Sequence, residues 1–268
     1  MDHGSANLLL RVLSALILGP IALASVWLGG VWLFALVLLA VAVMGWEWAR
    51  LAARGGATGS LILATGPAAV ATLGLGGGLG LACLVALAGA VLVLAAAAIT
   101  GLAEPSWAAA GTSWIALGSV AFLGLDLLPV GGRETVLWLL AVVWVNDIGA
   151  YAVGRAVGGP RLAPRLSPNK TWAGFVGGVA SGGALGWLTT LIASTSPWSL
   201  VPLSLLLGLA SQLGDLAESL AKRHFGVKDS SALIPGHGGL LDRVDGLLAA
   251  SVAAGAVTLA VGRSPLLW

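Results

Sequence analysis

"WSLVPLSLLLGLASQLGDLAESLAKR" (Trp198–Arg223) changes character along its length. It begins as an apolar run and ends on Asp215, Glu218, Lys222 and Arg223. Crossing about 30 Å of hydrocarbon takes roughly 20 apolar residues in a helix, and this stretch supplies them. On that helix Asp215, Glu218, Ser219 and Lys222 share one stripe, at spacings of three, four and seven. The stripe reaches from inside the span to its end. An acid inside a span is expensive, which makes it a functional candidate by default. The structural alternative is an internal ion pair, Asp215 or Glu218 with Lys222 or Arg223, that ties helices together.

The rest of the chain repeats the apolar pattern. Of 268 residues 58% are hydrophobic and 9% charged, where soluble domains carry about 25% charged residues. Apolar runs of spanning length fall near 8–28, 31–49, 61–77, 79–100, 107–128, 135–154, 172–194, 198–220 and 244–262. The expected fold is therefore all-α, a polytopic integral membrane protein of about nine transmembrane helices. The start also resembles a signal peptide, with Arg11 ahead of an apolar stretch and "ALA" at 22–24. A second apolar segment follows almost at once, so the first is kept as a span.

Charge asymmetry orients the spans. With the N-terminus inside, the inner side holds Arg11, Arg50, Arg54, Arg155, Arg161, Arg165, Lys170, Lys222, Arg223, Lys228 and Arg243. The outer side holds only Arg133 and Arg263. Eleven against two places the N-terminus in the cytoplasm and the C-terminus outside. The whole chain, 1–268, is expected to be one membrane domain. Within it, 1–130 are spans of unassigned role, and 131–268 carry the catalytic spans and cytoplasmic loops.

Forty glycines suit close helix packing in lipid. The "GLGGGLG" tract at 74–80 is a turn signal, since no Gly-Lys-Ser/Thr follows it to make a phosphate loop. Trp107, Trp138 and Trp198, near span ends, read as interfacial anchors. The single Cys83 excludes an internal disulfide. The sequence pI near 9.1 reflects a small Lys/Arg excess with no exposed basic domain, so no nucleic-acid partner is expected.

Five of the eleven acids lie between Asp215 and Asp245. In "HGGLLDRVDG" (His237–Gly246), Asp242 and Asp245 are three apart at the start of the ninth span, and Gly238 and Gly239 leave the backbone open to close approach. Oxygen ligands from two helices suit a hard cation such as Mg²⁺, and no Cys/His spacing suggests zinc. Lys222, Arg223, Lys228 and Arg243 lie near these acids in sequence. Carboxylates for a metal beside cations for oxyanions are what phosphoryl or nucleotidyl transfer requires. The ordinary inner-face excess of Lys and Arg is the alternative for the cations. "RLAPRLSPNKTWAG" (Arg161–Gly174) is Pro-rich, reads as a loop, and offers Ser167, Asn169, Lys170 and Thr171 to a phosphate. "WVNDIGAYAVGR" (Trp144–Arg155) puts Asn146 and Asp147 inside the sixth span, for the same site or for a hydrogen bond across helices.

"SLAKRHFGVKDSSALIPGHGGLLDRVD" (Ser219–Asp245) resembles the signature of the phosphatidate cytidylyltransferases, or CDP-diacylglycerol synthases. The pattern is Ser, two residues, Lys-Arg, four residues, Lys-Asp, later Pro-x-His-Gly-Gly, then Asp-Arg-x-Asp. The matching positions are Ser219, Lys222, Arg223, Lys228, Asp229, Pro235, His237, Gly238, Gly239, Asp242, Arg243 and Asp245. "QLGDLAES", "SPNKTWAG" and "NDIGAYAVGR" extend the resemblance over roughly the C-terminal half. Ala221 stands where the family usually has a larger apolar residue, and Ala173 where many members have Glu, so no acid acts at position 173 here.

The resemblance implies that CTP and phosphatidic acid give CDP-diacylglycerol and pyrophosphate, with Mg²⁺ and room for a second cation. It implies metal ligation by Asp215 and Asp242, with Glu218 and Asp245 supporting. Asp215, Lys222, Arg223, Asp242 and Arg243 would be catalytic. Ser167, Lys170, Ser219, Lys228, His237, Gly238 and Gly239 would bind substrate, the two glycines through their N–H groups. It also implies a homodimer in the lipid bilayer, in a bacterial inner membrane with the site facing the cytoplasm. A CTP-dependent enzyme acting on another lipid, such as an isoprenoid alcohol or an ether lipid, shares the motifs. A membrane transporter is the alternative of another class; it predicts charges at mid-span rather than at span ends. A CDP-alcohol phosphatidyltransferase does not fit, because Asp245-Gly246 is followed by "LLAAS" and no later acid.

Overall fold

A computed structural model of the chain describes residues 3–74, 76–193 and 196–267. Among the described residues there are nine long α-helices. They are α1 (His3–Leu28), α2 (Gly30–Trp48), α3 (Ala57–Gly74), α4 (Gly78–Ile99), α5 (Pro105–Asp126), α6 (Gly132–Val157), α7 (Trp172–Ala193), α8 (Pro197–His224) and α9 (Leu241–Val261). Seven of these segments are long and apolar enough to cross a membrane, while α1 and α3 contribute the shorter apolar helices Leu16–Leu28 and Ala57–Val70. The protein is an all-α integral membrane protein.

Three local features depart from the sequence reading. The Pro-rich stretch expected as a loop forms an antiparallel hairpin of β1 (Arg161–Ala163) and β2 (Ser167–Thr171), with Arg161 opposite Thr171 and Ala163 opposite Ser167. A π-helical turn, Ala49–Ala53, continues α2. Trp138, expected at an interface, is buried, whereas Trp198 is open.

The chain divides into two compact units. The first comprises Met1–Leu123 and His224–Val244, the second Gly124–Arg223 and Asp245–Trp268. Small residues govern packing in both, as expected where helices gain contact by bringing backbones close. In the first unit a Cβ on Gly66 of α3 would meet Val41 of α2 at 2.5 Å, and one on Gly89 of α4 would meet Thr65 of α3 at 2.7 Å. The Trp48 ring occupies the space beside Gly111 of α5 and donates its indole N–H to the Trp107 carbonyl at 3.2 Å. Trp107 is therefore held by packing, stacked on His224 at a centroid distance of 4.8 Å.

In the second unit α6 and α7 meet at Gly154 and Gly174, where a Cβ on Gly174 would stand 2.7 Å from the Ala150 carbonyl. Helices α8 and α9 meet through a second pair. A Cβ on Gly214 would lie 2.8 Å from the Asp245 carbonyl and 2.6 Å from Ala249 Cβ, and one on Gly246 would lie 2.5 Å from Ser211 Oγ. That contact sets the spacing of the acids beside it.

Candidate active site

The second unit gathers ionisable groups from four elements. Thr171 ends β2 and caps α7: its Oγ1 accepts the Gly174 N–H at 3.1 Å, the usual bond from an N-cap hydroxyl to the third helical amide. The cap fixes the end of the hairpin, one residue from Lys170. Lys170 Nζ in turn lies 2.6 Å from Asp215 Oδ2. On α8, one turn later, Glu218 is buried and pairs with Lys222 at the i, i+4 spacing. Arg223 donates from Nε to the Leu166 carbonyl at 3.3 Å, linking the hairpin turn to the end of α8.

Asp245 stands on α9 where its carbonyl faces Gly214 of α8, and it accepts the Gly246 N–H at 2.8 Å on Oδ1. Asp147 on α6 is aligned by Asn146, whose amide donates to Asp147 Oδ1 at 3.2 Å. Both Asp147 and Asp245 lie within electrostatic reach of Asp215 and Lys170. The alternatives left open by the sequence thus resolve in part. Glu218 does pair with Lys222, but Asp215 pairs with a cation 45 positions earlier in the chain. Ser219 is half-buried on α8, and Ser167 is half-buried at the start of β2.

Gln212 was not singled out in the sequence, and it anchors this arrangement. It is buried on α8, and its amide donates to Asn146 Oδ1 at 3.1 Å and to the Phe175 carbonyl at 2.9 Å. One side chain thus ties α6, α7 and α8 together. A polar residue within an apolar span was the available signal.

The first unit holds the rest of the signature. Asp242, in the first turn of α9, is buried. Its Oδ2 accepts the Ser230 N–H at 2.9 Å, the Ser230 hydroxyl at 3.0 Å and the Gly239 N–H at 2.7 Å. The glycine amides, expected to face a phosphate, are used inside the loop, because Gly238 N–H donates to the Ile234 carbonyl at 3.2 Å. The need for glycine here is steric. Gly238 has φ +85°, and a Cβ on Gly239 would run into Ser230 Oγ and the Glu47 carboxylate. His237 shares a hydrogen bond of 2.9 Å between its Nδ1 and Ser14 Oγ. Lys228 and Arg243 are exposed on this segment.

Among the described residues, no three His, Cys, Asp or Glu side chains close into a ready-made metal cage. The donors in the second unit are nevertheless all carboxylate oxygens, and Mg²⁺ is ordinarily held by one or two carboxylates with water and substrate phosphate completing its shell. The donor chemistry of Asp215 and Asp245 fits that ion.

Helices long enough to span a bilayer, with carboxylates and cations paired at the end of α8, define an integral membrane protein with an ionic cluster at a helix end. The chain belongs to the cytidylyltransferase family, whose model matches residues 9–260. It is 53% identical over 149 residues to a phosphatidate cytidylyltransferase of Brucella suis biovar 1 (strain 1330), a match covering 53% of this chain and 55% of the relative. A phosphatidate cytidylyltransferase of Mycobacterium leprae (strain TN) is 43% identical over 143 residues, covering 53% of this chain and 46% of the relative. One of Staphylococcus aureus (strain COL) is 42% identical over 137 residues, covering 48% and 53%. The chain spans about half the length of the curated relatives it matches.

Proposed function

We propose that the protein transfers a cytidylyl group from CTP to phosphatidic acid, releasing pyrophosphate and leaving CDP-diacylglycerol in the membrane. The observation that carries this reading is the Lys170–Asp215 pair set beside Asp245 and the Glu218–Lys222 pair within one unit. The names of the relatives supply the substrates.

The chemistry asks little beyond charge control and alignment. The lipid phosphate is already an anion and needs no Ser–His-type base. One of its oxygens forms the new bond to the α-phosphorus of CTP as the bond from that phosphorus to the β-phosphate bridging oxygen breaks. Both reactants are anionic, so the residues must neutralise repulsion and hold the partners in line. Lys170 exchanges its contact with Asp215 for a phosphate oxygen when CTP arrives, and Lys222 stays close on Glu218. Ser167 and Ser219 contribute hydroxyl donors. Asp215 and Asp245 would hold Mg²⁺, which when bound would supply positive charge against the phosphates. Asp242, described in the first unit, is given a ligand role by the resemblance alone. Its fixing by Ser230 and Gly239 is what the outer partners of a ligand provide. Lys228, Arg243 and His237 are assigned to phosphate binding by the resemblance.

The cytoplasmic face, a bacterial inner membrane and a homodimer belong to this proposal. The eleven-to-two charge bias supports the face. The test is to follow CTP consumption by the purified protein in detergent, with phosphatidic acid, an isoprenoid alcohol or no lipid, and with or without Mg²⁺. Mg²⁺-dependent release of pyrophosphate with phosphatidic acid alone supports the reading. Turnover only with the isoprenoid alcohol transfers the site to that substrate class, and no nucleotide turnover with any lipid contradicts an enzyme of this kind.

A further inference from the structure

Glu47 has no place in the signature and is fully buried at the end of α2. It lies 184 to 194 positions from its hydrogen-bond partners. Its Oε1 accepts the Ser231 hydroxyl at 2.6 Å and the Leu240 N–H at 2.9 Å, and its Oε2 accepts the Leu241 N–H at 2.8 Å. The amides of the first residues of a helix lack intrahelical partners, and a carboxylate there is also favoured by the helix dipole. Glu47 therefore caps α9 from a different helix.

Asp242 completes a two-carboxylate clip. Asp242 joins Ser230 to Gly239, and Glu47 joins Ser231 to Leu240 and Leu241. Each acid takes one serine from the early arm of the 229–241 segment and one or two backbone amides from its late arm. Gly239 lies between them with no space for a side chain. The end of α2 is itself pinned, because Trp48 fills the space at Gly111 and packs edge-on to Phe225 at 6.1 Å. Glu47 thus sits beside a packed Trp48, and its carboxylate ties the end of α2 to the segment between Lys228 and Arg243.

We propose that Glu47 is a positioning residue for the reaction, acting from the N-terminal spans to hold the signature segment in its working geometry. This rests on the cytidylyl-transfer reading for its kinetic consequence, though not for its structural one. It gives the N-terminal half a role in the chemistry without any substrate contact.

The test combines kinetics with amide hydrogen exchange on the full chain in detergent, for wild type, Glu47→Ala, Glu47→Gln and Ser231→Ala. In Glu47→Ala the peptide containing Leu240 and Leu241 should exchange faster while α6 and α7 peptides keep their protection, and kcat/KM should fall about 100-fold, the scale of an ångström-level misplacement. Glu47→Gln keeps one acceptor oxygen and should fall between, with Ser231→Ala closest to wild type. This ordering, with KM for CTP rising and α6–α7 protection unchanged, separates positioning from general destabilisation. If Glu47→Ala does not fold, the ordering of the other two decides. Unchanged exchange at 240–241, or full turnover despite faster exchange, overturns the proposal. A wild type inactive towards CTP and phosphatidic acid, with the exchange changes still present, would refute the reaction and keep the clip.

Discussion

Lys170 Nζ lies 2.6 Å from Asp215 Oδ2, joining the β-hairpin to α8 within one compact unit. The Lys170 Nζ is enclosed, but its side chain is 25% exposed and that of Asp215 44%, so solvent screens the pair and it gains little stability from its charge alone. It is better placed to be opened by a phosphate than to hold the fold. Lys170→Ala should leave the apparent Tm within a degree or two of wild type. It should lower kcat/KM for CTP about 100-fold, the usual cost of deleting one anion-stabilising contact. Thermal unfolding and steady-state kinetics on the same preparation check both halves.

The close approach of α8 and α9 at Gly214 makes a second, steric prediction. Gly214→Ala would place its Cβ 2.6 Å from Ala249 Cβ and 2.8 Å from the Asp245 carbonyl. Overpacking of this kind costs about 1–3 kcal/mol, and here it also pushes Asp245 away from Asp215. The expected result is a lowered apparent Tm with an increased Mg²⁺ requirement. Gly80→Ala, at a site with no atom within 4 Å of the added Cβ, is the matched control and should change neither.

Gln212 and Asn146 should behave as one unit. Removing the Gln212 amide takes the donor from the buried Asn146 Oδ1 and an additional donor from the Phe175 carbonyl of α7. A buried polar group left unmatched costs about 1–3 kcal/mol. Gln212→Leu and Asn146→Leu should each destabilise by that order. The double variant should cost less than their sum, because each partner's loss has already been incurred. A double-mutant cycle on thermal stability reads this coupling.

Seven of the nine expected spans and the signature were legible because both are written locally, one as length and hydropathy, the other as fixed spacing. The α8 stripe was legible for the same reason, and Glu218–Lys222 is its local pair. Lys170–Asp215 was not, since pairing across 45 positions depends on the hairpin, and two prolines made that stretch read as a loop. The alternation that pairs Arg161 with Thr171 is only a few residues long and carries no hydrophobic face. Glu47 left the weakest trace. One acid in an apolar run announces that it needs a partner, but the partners are backbone amides, which no sequence pattern marks.

Gly239 offers a second check on the loop, one that leaves the Glu47 side chain itself unchanged. Gly239→Ala would drive a methyl into Ser230 Oγ and the Glu47 carboxylate. It should speed amide exchange across 229–241 and lower turnover. Gly226→Ala, at φ +72° with open space around it, should show only the strain of its backbone conformation, about 1 kcal/mol, with turnover retained.

The most direct test of the proposed site is the Mg²⁺ dependence of CDP-diacylglycerol formation by Asp215→Asn, which keeps the side-chain shape and removes its charge. The expected result is a folded protein with turnover about 100- to 1,000-fold below wild type, partly restored by raising Mg²⁺. A folded Asp215→Asn protein with wild-type turnover and an unshifted Mg²⁺ profile would contradict the assignment of the chemistry to this cluster.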